Sequence, residues 1–376
     1  MTQATVVTDP SLAVAPAAPE VTVVVPTFNE RANVPLVVER VAVALAGHSW
    51  EVIFVDDDSP DGTAAAAKEL GRNDPRVRCI RRVGRRGLAG ACIEGMLAST
   101  ARYVAVMDAD LQHDDALLAD MLSALRGGQH DLVIGSRYLS ESGTEGLSRK
   151  RLASSQLAGA LARRTLGFDI TDPMSGFFML SRDVIERTAP KLSTQGFKIL
   201  ADILTSARGE IRVHELPYHF RARMHGTSKL DSQVALDFLG LLISKATANT
   251  VPVRFVSFVL VGSVGVLVHL GVLKFALSIL GLNFEAAQTV ATFVAMTSNF
   301  FLNNAVTYRD QRLSGVAAAR GLLLFYAICA IGAFSNIGVA TWLYDNEPTW
   351  WLAGLFGSIV GAVWNYALSS TVVWRR

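Results

Sequence analysis

The feature of this sequence that most constrains its fold is the scarcity of charge in its last third. Only eleven residues are charged from Val251 onward, although the chain of 376 residues contains 35 basic and 33 acidic residues. The charge-poor stretches reach or approach the ~20 residues that an α-helix needs to cross the hydrocarbon core of a bilayer. These stretches predict an all-α membrane domain of four transmembrane helices, at about residues 255–280, 286–308, 321–344 and 349–374.

The connectors between these stretches predict the orientation of the domain. Arg309, Arg312 and Arg320 occupy the middle connector, and Arg254 precedes the first stretch. The first and third connectors contain neither Lys nor Arg. Because basic residues are retained on the cytoplasmic side of a membrane, we expect the middle connector and both chain termini to be cytoplasmic. A buried helical bundle of a soluble protein is the alternative, and it does not explain this alternation of charge.

The membrane part contains an internal repeat. The segment NFFLNNAVTYR at 299–309 matches NYALSSTVVWR at 365–375, and Arg254 matches Arg320 at the same offset. The repeat predicts two similar helical hairpins that are inserted in the same orientation. Such repeats occur in transporters, but a simple duplication explains this one equally well.

The first two thirds of the chain have the pattern of an α/β domain. Apolar runs alternate with helix-like segments, so we predict a Rossmann-like, mostly parallel sheet that helices cover on both faces. The predicted strands lie at 21–27, 51–57, 77–82, 103–110 and 131–136. The chain then divides into a flexible leader without a signal peptide at 1–20, the α/β domain at 21–231, an interfacial helix or plain linker at 232–252, and the membrane domain at 253–376.

Composition argues against two other classes of site. The net charge of +2 is too small to indicate a nucleic-acid partner. Cys79, Cys92 and Cys329 lie far apart in the sequence and lack the spacing of a metal site, so we expect three reduced thiols.

Polar side chains follow three of the predicted strands. The segment 26–30 (PTFNE) ends the first strand, Asp56 to Asp58 end the second, and Asp108 and Asp110 end the fourth. Because parallel strands present their carboxyl ends at one edge of a sheet, these groups should converge on one crevice. The glycine pattern of a dinucleotide site does not follow the first strand, and the P-loop pattern does not occur, so we expect a different kind of site.

Asp108, Asp110 and Gln112 form a candidate metal site. Carboxylate and amide oxygens suit Mg²⁺ or Mn²⁺, and these cations accept their remaining ligands from water and from substrate phosphates. A cation would also stabilise the negative charge of a departing diphosphate. His113 is either a further ligand or a polar residue at the start of the next helix, and we favour the second interpretation.

Seven motifs resemble the dolichol- and polyprenol-phosphate mannose synthases, which are GT-A glycosyltransferases of the inverting family 2. The resemblance covers residues 21–232, with the motifs in order and at ordinary spacing. The last part of the chain resembles the GtrA-like four-helix membrane domain that is fused to some of these synthases. The motifs are VVVPTFNERANVPLVVERV, VDDDSPDGT, GRRGLAGACIEGM, VMDADLQHDDALLADM, LVIGSRY, DPMSGFFMLSR and FRARMHGTSKL.

The resemblance implies a donor site. Pro26, Phe28, Glu30 and Asp57 would line the nucleotide pocket. Phe28 stands where the family usually has Tyr, so stacking is kept and a hydroxyl contact is lost. Asp108, Asp110 and Gln112 would bind the metal and the sugar diphosphate. Arg223 and Lys229 would belong to a flexible basic loop that closes on the donor.

The resemblance also implies a site for the phosphate of a lipid acceptor. Arg137, Arg151 and Ser155 match positions that meet this phosphate, and Asp110 joins the two arginines as an expected catalytic residue. A solvated or salt-bridged surface is the alternative for the arginines. A phosphate monoester is largely ionised near pH 7, so we expect no general base. We interpret Asp202 as a helical residue.

The expected function is the transfer of mannose from GDP-mannose to the phosphate of a polyprenyl or dolichyl monophosphate, with inversion. The enzyme would be integral to the cell membrane, with its catalytic domain in the cytoplasm, so that it searches for its lipid acceptor in two dimensions. UDP-glucose is the alternative donor, although the Pro in DDDSPDGT is more typical of the mannose group. A lipid-linked-sugar flippase is less favoured. A processive polysaccharide synthase would need Q-x-x-R-W and a further Asp, and the sequence shows neither.

Overall fold

The chain forms two compact units, Met1–Asp231 and Ser232–Arg376. The first contains an α/β sheet and the second contains long apolar helices. The predicted leader at 1–20 and the predicted interfacial helix or linker at 232–252 lie almost entirely outside the described residues. The computed structural model describes residues 18–139, 170–193, 199–207, 209–219, 221, 243, 247, 251–346 and 350–374.

The first unit is built around one mostly parallel sheet. The strands within the described residues are β1 (Val21–Thr27), β2 (Trp50–Asp56), β3 (Val77–Arg81), β4 (Tyr103–Val106), β5 (Leu132–Ser136), β6 (Phe178–Ser181) and β7 (Val213–Pro217). Their order is β3-β2-β1-β4-β6-β5-β7. Neighbouring strands are parallel except at β6, which is antiparallel to both β4 and β5. The prediction of a mostly parallel sheet is confirmed.

Helices pack on this sheet through apolar side chains, as the helix after β4 shows. In the helix after β4, Leu118, Met121, Leu122 and Leu125 are buried, which is the i, i+3, i+4, i+7 spacing of one helix face. Every residue of β1 and β2 is buried, as expected for strands that are covered on both sides. The helices are α1 (Val34–Ala44), α2 (Thr63–Asn73), α3 (Leu88–Ala98), α4 (Leu117–Arg126), α5 (Arg182–Thr188) and α6 (Ile199–Ala207).

Three strands differ from the sequence prediction. β4 ends at Val106, so Asp108 and Asp110 lie in the loop after the strand instead of inside it. β6 has only four residues, and β7 has the polar sequence VHELP and is only partly buried. Neither has the long apolar run on which the prediction relied, and both strands were therefore missed.

Gly95 in α3 packs directly against the centre of the sheet. A Cβ atom at this position would overlap Val24 Cγ1 and would lie 2.9 Å from Val55 Cγ2. We expect Gly95→Ala to lower the free energy of unfolding by about 2 kcal/mol, because overpacking a close-packed core forces its neighbours to shift. Denaturant unfolding of the purified chain measures this loss. Gly127→Ala is the matched control, since a Cβ there meets no atom closer than 3.5 Å. Equal losses in the two variants would contradict the packing argument.

The second unit consists of long apolar helices. They are α7 (Val253–Ser278), α8 (Phe284–Leu302), α9 (Gly315–Asn346) and α10 (Trp350–Leu368). A helix therefore occupies each of the four places predicted from the sequence. Among the described residues, the segments long and apolar enough to cross a bilayer are Val253–Ser278 and Gly315–Gly332. The topology of four membrane spans stays a prediction.

The sequence repeat recurs as a repeat of local geometry. α8 and α10 each continue into a π-helix, at Asn303–Thr307 and Ser369–Val373. The next residues, Tyr308 and Trp374, stack with their ring centroids 4.1 Å apart and their planes 3° from parallel. Equivalent residues meet face to face when two similar hairpins pack about a local pseudo-twofold axis. Residues at equivalent positions of the repeat, Tyr308 and Trp374, thus form a contact between the two hairpins.

Candidate active site

The strand order places a topological switch point at β1. The chain continues from β1 to β2 and β3 on one side, whereas β4 lies on the other side of β1. In open α/β sheets such a switch opens a crevice beyond the carboxyl ends of the strands, where ligands bind. Val24 pairs with Val106, and Thr27 pairs with Asp56. The ends of β1, β2 and β4 therefore meet at one edge, as the sequence predicted.

A hydrogen-bond network joins the loops after β1 and β2. Asp56 accepts hydrogen bonds from Ser59 Oγ at 2.5 Å, from Ser59 N at 2.9 Å and from Thr27 Oγ1 at 3.2 Å. Ser59 Oγ in turn accepts one from Asn29 N at 2.9 Å. Asn29 and Asp58 have φ angles of 58° and 57°, in the left-handed region that Asn and Asp tolerate better than most residues. The two loops thereby form one connected wall of the crevice.

Asp57 is buried and supports the loop between β3 and α3. Its Oδ2 accepts a hydrogen bond from Gly87 N at 2.6 Å, and its Oδ1 accepts one from the Arg82 guanidinium. Burial raises the pKa of Asp57 by more than these bonds lower it. The same loop carries Arg86, whose guanidinium carbon lies 4.7 Å from the centroid of the Phe28 ring. Asp57 thus shapes the predicted nucleotide pocket through this loop, and its direct contact with a nucleotide stays a prediction.

Pro26 and Glu30 flank Phe28 at the end of β1. Pro26 is a buried residue of the strand itself. The Glu30 backbone N donates to Thr63 Oγ1 at 3.0 Å, and Glu30 Oε2 accepts a hydrogen bond from Asn33 Nδ2 at 2.7 Å. The fold therefore brings these predicted pocket residues to one strand end. Their role in nucleotide binding stays a prediction.

Asp108 and Asp110 lie in a tight turn after β4. Asp110 is 9% exposed, and its Oδ1 accepts a hydrogen bond from Gln112 N at 3.2 Å. Between Asp110 and Gln112, the buried Leu111 has a φ angle of 61°. A bulky residue in the left-handed region costs roughly 1–2 kcal/mol, so its surroundings must hold it there. Backbone strain of this kind is concentrated at functional sites.

The oxygen donors of this turn fit a divalent cation. Asp108 has a side chain that is 40% exposed, and the backbone of Gly176 approaches it so closely that a Cβ there would lie 2.9 Å from Asp108 Oδ2. In the part of the chain that the structure describes, no three His, Cys, Asp or Glu side chains form a cluster that can hold a metal by themselves. A cation here would need Gln112, water and substrate phosphate as further ligands, as is usual for Mg²⁺.

Arg221 connects this turn to the start of the predicted basic loop. Gln112 Nε2 donates to Arg221 O at 3.0 Å, and Arg221 N donates to Gln112 O at 2.8 Å. The Arg221 guanidinium also pairs with Asp114 at 2.6 Å and with Asp115 at 2.9 Å. The remaining predicted site residues lie outside the described residues, namely Arg151, Ser155, Arg223 and Lys229.

Arg137 follows β5 and forms a buried ion pair with Asp172. Its Nε and Nη2 donate to the two carboxylate oxygens of Asp172 at 2.7 and 2.9 Å. The side chains of Arg137 and Asp172 are only 17% and 1% exposed. Burial alone would lower the pKa of Arg137, but the charge and the hydrogen bonds of Asp172 outweigh burial and raise it. Arg137 is therefore salt-bridged and not solvated.

Sequence reasoning missed the partners of these side chains. Asp172 N donates to Glu215 Oε1 at 3.1 Å, which ties the loop before β6 to β7. The signals were a carboxylate in each of the short segments DPMSGFF and VHELP. The interpretation of His113 as a residue at a helix start was wrong, because α4 begins only at Leu117 and His113 lies beside Asp108.

Comparison with known proteins identifies the family. The model of glycosyl transferase family 2 matches residues 22–188, and that of the GtrA/DPMS transmembrane domain matches residues 257–374. A dolichol-phosphate mannosyltransferase from Pyrococcus furiosus is 34% identical over 357 residues, which cover 94% of this chain and 99% of that protein. The chain belongs to the dolichol-phosphate mannosyltransferase family. It is a glycosyltransferase with a C-terminal membrane domain of the GtrA type, as its motifs predicted.

Other members of the dolichol-phosphate mannosyltransferase family match a smaller part of the chain. The protein from Mycosarcoma maydis is 35% identical over 254 residues, which cover 64% of this chain and 85% of that protein. Among solved structures, glucosyl-3-phosphoglycerate synthase from Mycobacterium tuberculosis, in complex with Mn²⁺, UDP-glucose and phosphoglyceric acid, has a TM-score of 0.49 and 19% identity. The match covers 61% of this chain and 81% of the synthase chain. This likeness is too distant for its ligands to be transferred.

Proposed function

We propose that the chain transfers a mannosyl residue from GDP-mannose to the phosphate of a polyprenyl or dolichyl monophosphate, with inversion at the anomeric carbon. One observation carries this proposal. The likeness to the dolichol-phosphate mannosyltransferase of P. furiosus extends over 94% of the chain, and it therefore includes both the soluble and the membrane part. The distribution of Arg residues supports a catalytic domain and termini on the cytoplasmic side of the cell membrane.

The donor site would use the crevice between the ends of β1 and β4. Asp108, Asp110 and Gln112 would hold Mg²⁺ or Mn²⁺, and a bound cation would neutralise the diphosphate and stabilise charge on the leaving GDP. Phe28 offers an aromatic ring for stacking, with Arg86 over its face. The Pro in DDDSPDGT supports GDP-mannose over UDP-glucose as the donor.

The acceptor phosphate would be its own nucleophile. A phosphate monoester is largely ionised near pH 7, so one of its oxygens can form the new bond to the anomeric carbon while the bond to GDP breaks. Arg137, held by Asp172, would orient and neutralise this phosphate. Asp202 is engaged elsewhere, because it accepts hydrogen bonds from Ser193 N at 2.6 Å and from Ser206 Oγ at 3.3 Å. Because these contacts occupy Asp202 within and beside α6, they support a mechanism in which it does not act as a general base.

An assay with two donors in parallel tests this function. The purified full-length chain is incubated with polyprenyl phosphate, Mg²⁺ or Mn²⁺, and labelled GDP-mannose or UDP-glucose. We expect labelled lipid from GDP-mannose and at least about tenfold less from UDP-glucose, because a site that hydrogen-bonds one substrate rejects a poorly matched one. Product from UDP-glucose alone would overturn the assignment of GDP-mannose as the donor. Product that forms at the same rate in EDTA would overturn the metal requirement.

A further inference from the structure

His113 links two parts of the candidate active site that are distant in the sequence. Its Nε2 lies 3.3 Å from Asp108 Oδ2, and its Nδ1 lies 3.0 Å from Tyr218 Oη. The side chain is only 4% exposed, and its ring packs against Phe177 with a centroid distance of 5.1 Å. The neighbours of His113 therefore set the orientation of its ring.

We propose that His113, together with Tyr218, is a positioning residue that fixes the Asp108 carboxylate for cation binding. This inference rests on the proposed metal-dependent transfer. It assigns His113 no contact with the cation or with either substrate. It explains why a polar ring is buried beside a carboxylate that must remain accessible.

The direction of the two hydrogen bonds follows from the chemistry of the groups. An ionised carboxylate can only accept hydrogen bonds. His113 Nε2 therefore carries a hydrogen and donates a hydrogen bond to Asp108. When the ring carries this one proton, Nδ1 is an acceptor and the Tyr218 hydroxyl donates to it. Burial raises the pKa of Tyr218, so this hydroxyl keeps its proton. Tyr218, His113 and Asp108 thus form one directed chain of hydrogen bonds.

The sheet positions both ends of this series of hydrogen bonds. Asp108 follows β4, whereas Tyr218 follows β7 and donates its backbone N–H to Ser136 O at 3.3 Å. β6 and β5 lie between β4 and β7 in the sheet. His113 and Tyr218 therefore bridge strands that are not neighbours. Phe177, which directly precedes β6, packs edge-on against the Tyr218 ring at 5.7 Å and completes the support.

The support that His113 gives to Asp108 acts on one oxygen of the carboxylate. Oδ2 is enclosed by His113 Nε2 and by the backbone of Gly176, where a Cβ would lie only 2.9 Å from it. Partners that orient a metal ligand in this way commonly change metal affinity by about 10–100-fold when they are removed.

Mn²⁺ binding to the purified full-length chain tests this role. Binding is followed by electron paramagnetic resonance in the presence of GDP. His113→Phe and Tyr218→Phe each keep an aromatic ring and remove a hydrogen bond. We expect about 10–100-fold weaker Mn²⁺ binding for His113→Phe and a smaller loss for Tyr218→Phe. The double variant should bind no more weakly than His113→Phe, because Tyr218 acts only through the histidine.

Partial rescue separates positioning from packing. In His113→Gln, the amide nitrogen can replace Nε2 as the donor to Asp108, although the ring is lost. We expect His113→Gln to bind Mn²⁺ more tightly than His113→Phe. The opposite order would show that the ring matters only for packing, and it would overturn the inference.

Two further variants make the outcome decisive. His130→Phe is the matched control, because His130 precedes β5 at the opposite edge of the sheet and stacks on His214 at 4.6 Å. It should leave Mn²⁺ binding unchanged, and an equal loss there would overturn the inference. Asp110→Asn tests the proposed metal site itself, which is wrong if this variant binds Mn²⁺ normally. If Asp110→Asn loses Mn²⁺ while His113→Phe keeps full affinity, the metal site stands and the role of His113 is refuted.

Discussion

Asp110→Asn is expected to lower the rate of sugar transfer by at least about 100-fold without unfolding the protein. The substitution removes one negative charge from the candidate metal site and replaces one of its oxygen ligands. In the unchanged protein Gln112 N donates to Asp110 Oδ1 at 3.2 Å. The Asn amide still offers an oxygen to this N–H, so the turn should keep its shape. The measurement is transfer of label from GDP-mannose to polyprenyl phosphate, together with thermal unfolding of the same preparation.

The matched control is Asp120→Asn on the exposed side of α4. It makes the same change of charge outside the crevice, and it should alter neither the rate nor the unfolding temperature. Normal transfer by Asp110→Asn would remove Asp110 from the proposed metal site. A large fall in its unfolding temperature would instead assign Asp110 a structural role.

Asp172→Ala is expected to cause the largest loss of stability. Removing one partner of a buried ion pair leaves the other charge uncompensated, which costs about 3–5 kcal/mol. Here the remaining charge is the guanidinium of Arg137, whose side chain is only 17% exposed. The change also releases Arg137 from the orientation in which we propose that it meets the acceptor phosphate. Denaturant unfolding and the KM for polyprenyl phosphate measure the two effects, and we expect the KM to rise.

Asp131→Ala provides a control with nearly the same pair geometry. Asp131 accepts two hydrogen bonds from the Arg212 guanidinium, at 3.0 and 2.9 Å, but the Arg212 side chain is 57% exposed. An exposed pair contributes little because water solvates both charges when they separate. Asp131→Ala should therefore cost far less stability than Asp172→Ala. Similar losses in both variants would show that burial does not control the contribution of these pairs.

The fold class could be predicted because its main signals are local. Each residue of Val21–Thr27 is buried, and a continuous apolar run of this length is typical of a strand covered on both faces. β6 could not be predicted in the same way, since four residues carry too little pattern to separate a strand from a loop. β7 is polar and partly exposed, so its place in the sheet depends on its pairing with β5.

The candidate site was predictable in outline but not in its contacts. Residues at the ends of parallel strands must share one edge, and this rule selects Phe28, Asp57 and Asp108 from the sequence. It does not show that Asp57 is occupied by Gly87 N and Arg82, which reach it from a loop after a different strand. The same rule leaves the role of His113 open, because its two partners belong to different parts of the chain.

The sequence by itself determined the family, the mostly parallel sheet and the placement of carboxylates after β4. Burial of apolar runs and the shared edge of parallel strands are properties that neighbouring residues encode. Only the tertiary structure decided which groups are partners. Asp172 binds Arg137 across 35 positions of sequence, and Tyr218 binds His113 across 105. Such pairs depend on the strand order, in which β6 is inserted between β4 and β5, and no local pattern of residues specifies that insertion.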